Sequence, residues 1–353
     1  MQSFKNNSDF PFFIRAALIL IGIISSLLLL YWGKLLFIPL FLAFLTAIFL
    51  YPLAKFFEKK HLSKIMAAAT SVLLFFLFMC IVLYFFTAQL LQFLKALPDL
   101  KLKLDALVGN VQAWMSENYH INSSGEVNYI NSWLNKLVSV AGSTIAAILK
   151  WLILFALFLF FTFYILYHRK LLESFILSFF KEPRRKKMGE VALELRSLIN
   201  GYVKGLMLEM LIFIASSLVI LLLLGIKYAL LMAVFAGVLN LIPYLGVYTA
   251  TAINALVTLA ATNLTEALEV TAVFIFIHVI DANIILPRIV GGSVKMNPFV
   301  TLMAVVAGHL IWGIPGMFLF IPLTAIIRVL SEKINDFRPW AILIGEETNT
   351  KNQ

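Results

Sequence analysis

The sequence predicts an all-α polytopic membrane protein. Three observations carry this. Of 353 residues, 62% are hydrophobic and only 13% charged, against roughly 45–50% apolar and about 25% charged in soluble domains. The apolar residues fall in repeated long runs, and about 20 such residues span a bilayer core. The net charge of +10 is clustered beside those runs, which is the pattern of membrane topology rather than of nucleic-acid binding. A soluble enzyme is excluded on this composition. So is a transmembrane barrel, whose strands alternate apolar and polar residues. One cysteine, Cys80, removes a disulfide framework and a thiolate metal cluster.

In chain order, residues 16–32 form a first span, read as retained rather than as a cleaved signal peptide. Residues 35–54 form a second, and the loop KFFEKKHLSK at 55–64 carries four lysines against one glutamate. A third run covers 65–90. Residues 91–145 change character: Leu97, Leu100, Leu104, Leu107, Val111 and Trp114 recur at helical spacing, followed by a polar stretch at 118–128 and a second helical start. This is a small extracytoplasmic helical insert. Residues 146–167 span again, and 168–205 form a basic connector with an apolar stripe at Val191, Leu195, Leu198 and Tyr202. The stripe would rest on lipid or on another subunit. Residues 206–331 form the second apolar half, and 332–353 a tail. Lys and Arg concentrate on the cytoplasmic side. That places the 55–64 loop, the connector and both termini inside and the insert outside.

Two segments of the second half are too long for one straight span and are interrupted by Gly and Pro. In 228–262 the breaks are Gly237, Asn240, Pro243 and Gly246; in 298–331 they are Gly308, Gly313, Pro315, Gly316 and Pro322. The segments echo one another. LMAV, one residue, then Ala-Gly occurs at 231–237 and at 302–308, and Ile-Pro follows at 242–243 and 314–315. Paired broken segments point to a transport site, because freed backbone groups must face protein or a wet cavity. If each segment crosses twice, the charge rule is best satisfied; if each re-enters, the span count stays near eight.

Between them, 267–286 carries His278, Asp281 and Asn283, with Pro287 and Arg288 at its end. Ionisable residues in spans are costly and usually face a cavity or a partner. Asp281 and Arg288 would share a face two turns apart if the helix continued; they would pair, gate or bind solute. Glu209 lies near the inner end of the fifth span. The expected site gathers neutral donors from Asn240, Tyr244 and Asn254, with Pro243 and Gly246 holding the backbone open. Asp281 and Asn283 supply the polar face of the next helix, with Pro287 and Arg288 closing it, and Gly313, Pro315 and Gly316 form the matching break. Asp281 is the natural proton or cation carrier, since an apolar site penalises its charged form. P-loop, H-E-x-x-H, G-x-S-x-G and C-x-x-C signatures are missing from the sequence, so neither catalysis, a cofactor, a metal site nor an ATPase motor is expected. A non-transporting scaffold and an intramembrane enzyme are the competing classes; the first needs no paired breaks, and the second needs a nucleophile or metal set.

NLIPYLG at 240–246, NIILPRIVG at 283–291 and GIPGMFLFIPLTAIIRVL at 313–330 resemble the autoinducer-2 exporter (AI-2E) family, in order along nearly the whole chain. The carboxylate at 281 is an aspartate where that family more often has glutamate. The resemblance implies a bacterial inner-membrane transporter with about eight membrane-crossing segments, two of them broken or re-entrant. It implies export of a small polar solute such as the quorum-sensing signal autoinducer-2, or Na⁺(Li⁺)/H⁺ antiport. It also implies an elevator-like homopentamer. The partners expected are therefore membrane lipid, a small-molecule solute, a coupling ion (H⁺ or Na⁺) and further copies of the chain, with no nucleic acid.

Overall fold

The computed structural model describes residues 11–119, 144–182, 184–243, 245–292, 295–333 and 337–345. Among them every regular element is helical; an isolated bridge joins Met296 to Gly345. The expected polar stretch and second helix of the insert, and Tyr244 of the expected site, lie outside the described residues.

The helices are α1 (Phe12–Trp32), α2 (Lys34–Lys59), α3 (Lys64–Tyr119), α4 (Thr144–Tyr167), α5 (Arg169–Ser178) and α6 (Arg184–Leu223). They continue as α7 (Ala229–Asn240), α8 (Leu245–Ala261), α9 (Leu264–Ile280), α10 (Pro298–Trp312), α11 (Ile314–Lys333) and α12 (Arg338–Ile344). Two π-helical turns, Asp281–Ile285 and Pro287–Gly291, extend α9. Five helices are long and apolar enough to cross a membrane: α2, α3 over Lys64–Tyr84, α6, α9 with its extension over Leu264–Val290, and α11. A sixth is the pair α4–α5, bent by 71°. Ala16–Trp32, α7, Leu245–Leu259 and α10 are shorter apolar helices.

Large apolar side chains such as Ile21, Leu77, Ile153, Leu222 and Ile275 are exposed along these helices. Water would not tolerate such a belt, whereas lipid suits it. Small residues bring the helices together. Ala43, Ala47 and Ala54 of α2 and Ala67 and Ala68 of α3 are buried, and α2, α3 and α4 share a cluster with Leu50, Val72 and Leu166. With no side-chain atom beyond the alanine Cβ the backbones approach closely, which is how packing rather than hydrophobicity joins helices in lipid.

Two boundaries differ from the expectation. The third span and the first helix of the expected insert are one element: α3 runs unbroken from Lys64 to Tyr119. The connector stripe is not a separate helix either. It is the first half of α6, a 40-residue helix about 60 Å long. Val191 and Tyr202 are buried within the chain itself. The stripe is already covered, so it gives no argument for a second subunit. The short helix beyond the 71° bend, α5, instead exposes Leu171, Phe175 and Ile176.

The two broken segments form antiparallel helical hairpins. In the first, α7 packs back on α8: the Asn254 amide donates to the Met232 carbonyl at 3.2 Å, and Gly246 lies against the Leu239 carbonyl. In the second, Gly308 and Gly316 face each other backbone to backbone across α10 and α11. The turn between those arms is Gly313, at φ +65°, a conformation that favours glycine. The first arms have 12 and 15 residues, about 18 and 22 Å, short of the ~30 Å apolar core. The second arms are longer: α8 has 17 residues and α11, with 20, is of crossing length. One crossing, α9 with its extension, separates the hairpins. Within the fold, parts of the two hairpins meet. Leu241 and Ile242 at the first tip pack in the same apolar cluster as Val305 and Met317 of the second hairpin and Val290 of the π extension.

Candidate functional site

The site forms where the first hairpin's tip meets α6 and the end of α9. Gly237 lets α7 approach α6; a Cβ there would fall 2.3 Å from Ile214 Cγ1. One turn on, Asn240 is the last residue of α7. Its amide nitrogen donates to Glu209 Oε1 on α6 and, at 3.1 Å, to Asp281 Oδ2. Glu209 and Asp281 are 1% and 3% exposed. Three polar side chains from three separate elements thus converge in an otherwise apolar region. The second oxygen of Asp281, Oδ1, is buried without a hydrogen-bond partner, as is His278 Nδ1 one turn earlier. Among the described residues, neither carboxyl group has a basic ion-pair partner.

Asp281 opens the first π turn, and Leu286 N–H bonds back to its carbonyl five residues away. Pro287 explains the widening. It has no N–H to give the carbonyl of Asn283, and its ring crowds that carbonyl. A helix relieves such crowding by taking one more residue into the turn, and π turns of this kind gather at functional sites. The same widening separates Asp281 from Arg288, since seven residues no longer make two turns. Asp281 is buried, whereas Arg288 and Pro287 are exposed, and no ion pair joins Asp281 to Arg288. The expected pairing is not made.

The other expected residues divide by role. Asn240 and Asp281 come together. Pro243 sits in the turn between α7 and α8, where its carbonyl accepts from Leu245 N–H at 2.8 Å. Gly246 closes the hairpin on Leu239. Gly313 and Gly316 shape the second hairpin, and Pro315 starts its second arm, where a missing N–H costs nothing. Asn254 is buried but spends its amide stapling α8 to α7. Asn283 is exposed, and its amide donates to Val279 O. Neither reaches the carboxyl pair with that amide. Glu266 is a helix-start residue, its N–H bonded to the Asn263 side chain. Glu209 is the functional residue missing from the expected set. Its signal was a lone carboxylate inside an apolar run, but its partners lie 31 and 72 positions further along the chain, and sequence spacing cannot pair them.

Beside this group, a recess of about 500 Å³ between α8 and α9 is lined by Tyr248, Thr251, Thr271, Ile275, His278 and Val279. The His278 ring meets Tyr248 edge-on at 5.6 Å. No cluster of three or more His, Cys, Asp or Glu side chains gathers among the described residues.

Comparison with known proteins finds relatives described as transport proteins or permeases. The chain is 26% identical over 316 residues to YrrI of Bacillus subtilis (strain 168), a candidate transport protein, covering 84% of this chain and 86% of that one. It is 23% identical over 337 residues to MT0215 of Mycobacterium tuberculosis (strain CDC 1551 / Oshkosh), also a candidate transport protein, covering 93% and 90%. It is 29% identical over 150 residues to PerM of Escherichia coli (strain K12), a candidate permease, covering 42% of each. The AI-2E family transporter profile matches residues 19–336, and with several apolar helices of membrane-crossing length this multi-pass membrane protein belongs to the AI-2E transporter family.

Proposed function

We propose that the chain is a secondary transporter of the bacterial inner membrane, with both termini cytoplasmic, in which the Glu209–Asn240–Asp281 group carries the coupling cation. The single observation behind this reading is the buried pair of carboxyl groups bridged by one amide. Two carboxylate charges side by side in an apolar site repel each other and are poorly solvated. The pair is stable with one proton shared, or with a cation such as Na⁺ between its oxygens. Exchange of one for the other needs no ATPase. Asn240 sits at a hairpin tip, so movement of that hairpin would open or close the amide bridge and change the pair's hold on the ion.

The transported solute in this reading is a small polar molecule exported against the ion, such as autoinducer-2, as the family resemblance implies. A second reading makes the cation itself the cargo, as Na⁺(Li⁺)/H⁺ exchange. One observation favours it: Asn254 and Asn283, expected to hold a solute, spend their amides on Met232 O and Val279 O. Purified protein in proteoliposomes with an internal pH dye separates the two. Proton movement on adding Na⁺ or Li⁺ alone supports antiport. Proton or Na⁺ movement that requires autoinducer-2 supports coupled export. No ion movement under either gradient removes the coupling claim.

A further inference from the structure

A second recess, away from the carboxyl pair, lies between α2 and the first half of α6. Its volume is about 420 Å³, and its polar lining is Tyr51, Lys55, Lys59, Arg196, Ser197 and Asn200. Three cations line it, and no carboxylate does. The nearby acids are committed elsewhere. Glu58 holds Arg169 through both oxygens at 2.5 and 2.6 Å, and Glu194 holds Lys333 at 3.1 Å. Arg196 lies over the Tyr51 ring, its guanidinium carbon 3.3 Å from the centroid. Stacking of that kind fixes a guanidinium while leaving its edge for hydrogen bonds. Asn200 Oδ1 is buried and accepts no hydrogen bond. A buried acceptor left alone is unfavourable.

The position of the recess suits a membrane face. It lies at the basic end of α2, and the Arg169–Glu58 bridge ties that end to the point where the chain bends by 71° into α5. The outward Leu171, Phe175 and Ile176 of α5 suit a helix lying in the interface. Phe56 and Leu193 also line the recess and are themselves exposed, which offers apolar contact to an acyl chain.

We propose that this recess binds the headgroup of an anionic glycerophospholipid, with its phosphodiester against Lys55, Lys59 and Arg196 and a headgroup hydroxyl donating to Asn200 Oδ1. The chemistry selects that class. Cations ask for an anion, but the orphan oxygen asks for a donor, and a phosphodiester has none. The headgroup must supply it, as the glycerol of phosphatidylglycerol does.

Native mass spectrometry of the full-length protein released from nanodiscs tests this without reference to transport. Nanodiscs of phosphatidylcholine doped with phosphatidylglycerol should leave phosphatidylglycerol selectively bound. The triple variant Lys55→Gln, Lys59→Gln, Arg196→Gln should retain it about a hundredfold less, each basic group near a membrane surface contributing about fivefold. Asn200→Ala keeps the cations. It should lower phosphatidylglycerol retention about threefold or more, the worth of one hydrogen bond, and leave phosphatidylmethanol, which has no headgroup hydroxyl, unchanged. If the triple variant does not fold, the Asn200→Ala comparison decides alone. Equal phosphatidylglycerol retention by wild type and variants overturns the proposal. So does displacement of the lipid by inorganic phosphate in the buffer, which would assign the recess to a soluble anion.

Discussion

Gly246→Ala gives a sharp test of how the first hairpin holds the site. A Cβ at this position would stand 1.7 Å from the Leu239 carbonyl oxygen, half the 3.4 Å at which ordinary contact begins. All three nearest atoms, Leu239 O, Leu239 C and Asn240 N, are backbone, so no side chain can swing aside. The arms must part by about as much again, and the strain falls on Leu239 and its neighbour Asn240. Overpacking of this kind costs about 1–3 kcal/mol. The Asn240–Asp281 hydrogen bond starts at 3.1 Å and does not survive a shift of that size. Losing a hydrogen bond to a charged group costs about 1.5–3 kcal/mol more. The variant should therefore melt at a lower temperature in detergent and lose ion-coupled flux in proteoliposomes. Gly189→Ala is the control. A Cβ there meets nothing within 4 Å, and replacing a mid-helix glycine gains about 0.5–1 kcal/mol. If Gly246→Ala melts and transports like wild type while Gly189→Ala behaves as stated, the close approach of α8 to the α7 tip is wrong.

Four further outcomes are expected. Gly316→Ala should destabilise the second hairpin by about 1–3 kcal/mol, since its Cβ would fall 1.9 Å from the Gly308 carbonyl; thermal melting reads this. Arg288→Gln should leave melting and expression unchanged, and should not rescue Asp281→Asn, because Arg288 is exposed and unpaired with Asp281. A double-mutant cycle on Glu58 and Arg169, 17–22% exposed and 2.5 Å apart, should give a coupling of about 1 kcal/mol that shrinks with added salt. Reporter fusion should place Gln353 in the cytoplasm and an insertion at Ser124 outside; an external carboxyl terminus would contradict the topology.

Much of the fold was legible because lipid imposes it. Long apolar runs, basic loops and Gly/Pro interruptions have direct physical readings, and the breaks at Pro243, Gly246, Gly313 and Gly316 fall at the hairpin turns or just past them. Asp281 and Asn240 were legible for the same reason, as polar groups in apolar runs. Other features depended on geometry that composition does not carry. The π turns at Asp281–Ile285 and Pro287–Gly291 upset an α-helical count that set Arg288 on the face of Asp281. The amphipathic stretch before Leu206 suits a helix resting on lipid or on another subunit, but nothing in it stops a helix, and it runs straight into the span. Asn254 and Asn283 looked like solute ligands by residue type, yet local backbone carbonyls take their amides. Glu209 stood alone in the sequence and acquires its meaning only when three distant elements meet.

The most direct test of the central claim is ion-driven proton movement in proteoliposomes, measured side by side for wild type, Asp281→Asn and Glu209→Gln, with folding checked by size-exclusion profile and thermal melting. If the buried pair carries the cation, wild type moves protons in response to Na⁺, Li⁺ or solute gradients. Each single variant then loses that coupling while remaining folded, since an uncharged amide keeps the hydrogen bonding but can neither share a proton with its partner carboxyl nor hold the cation as a carboxylate does. Full coupling in either well-folded variant would contradict the account.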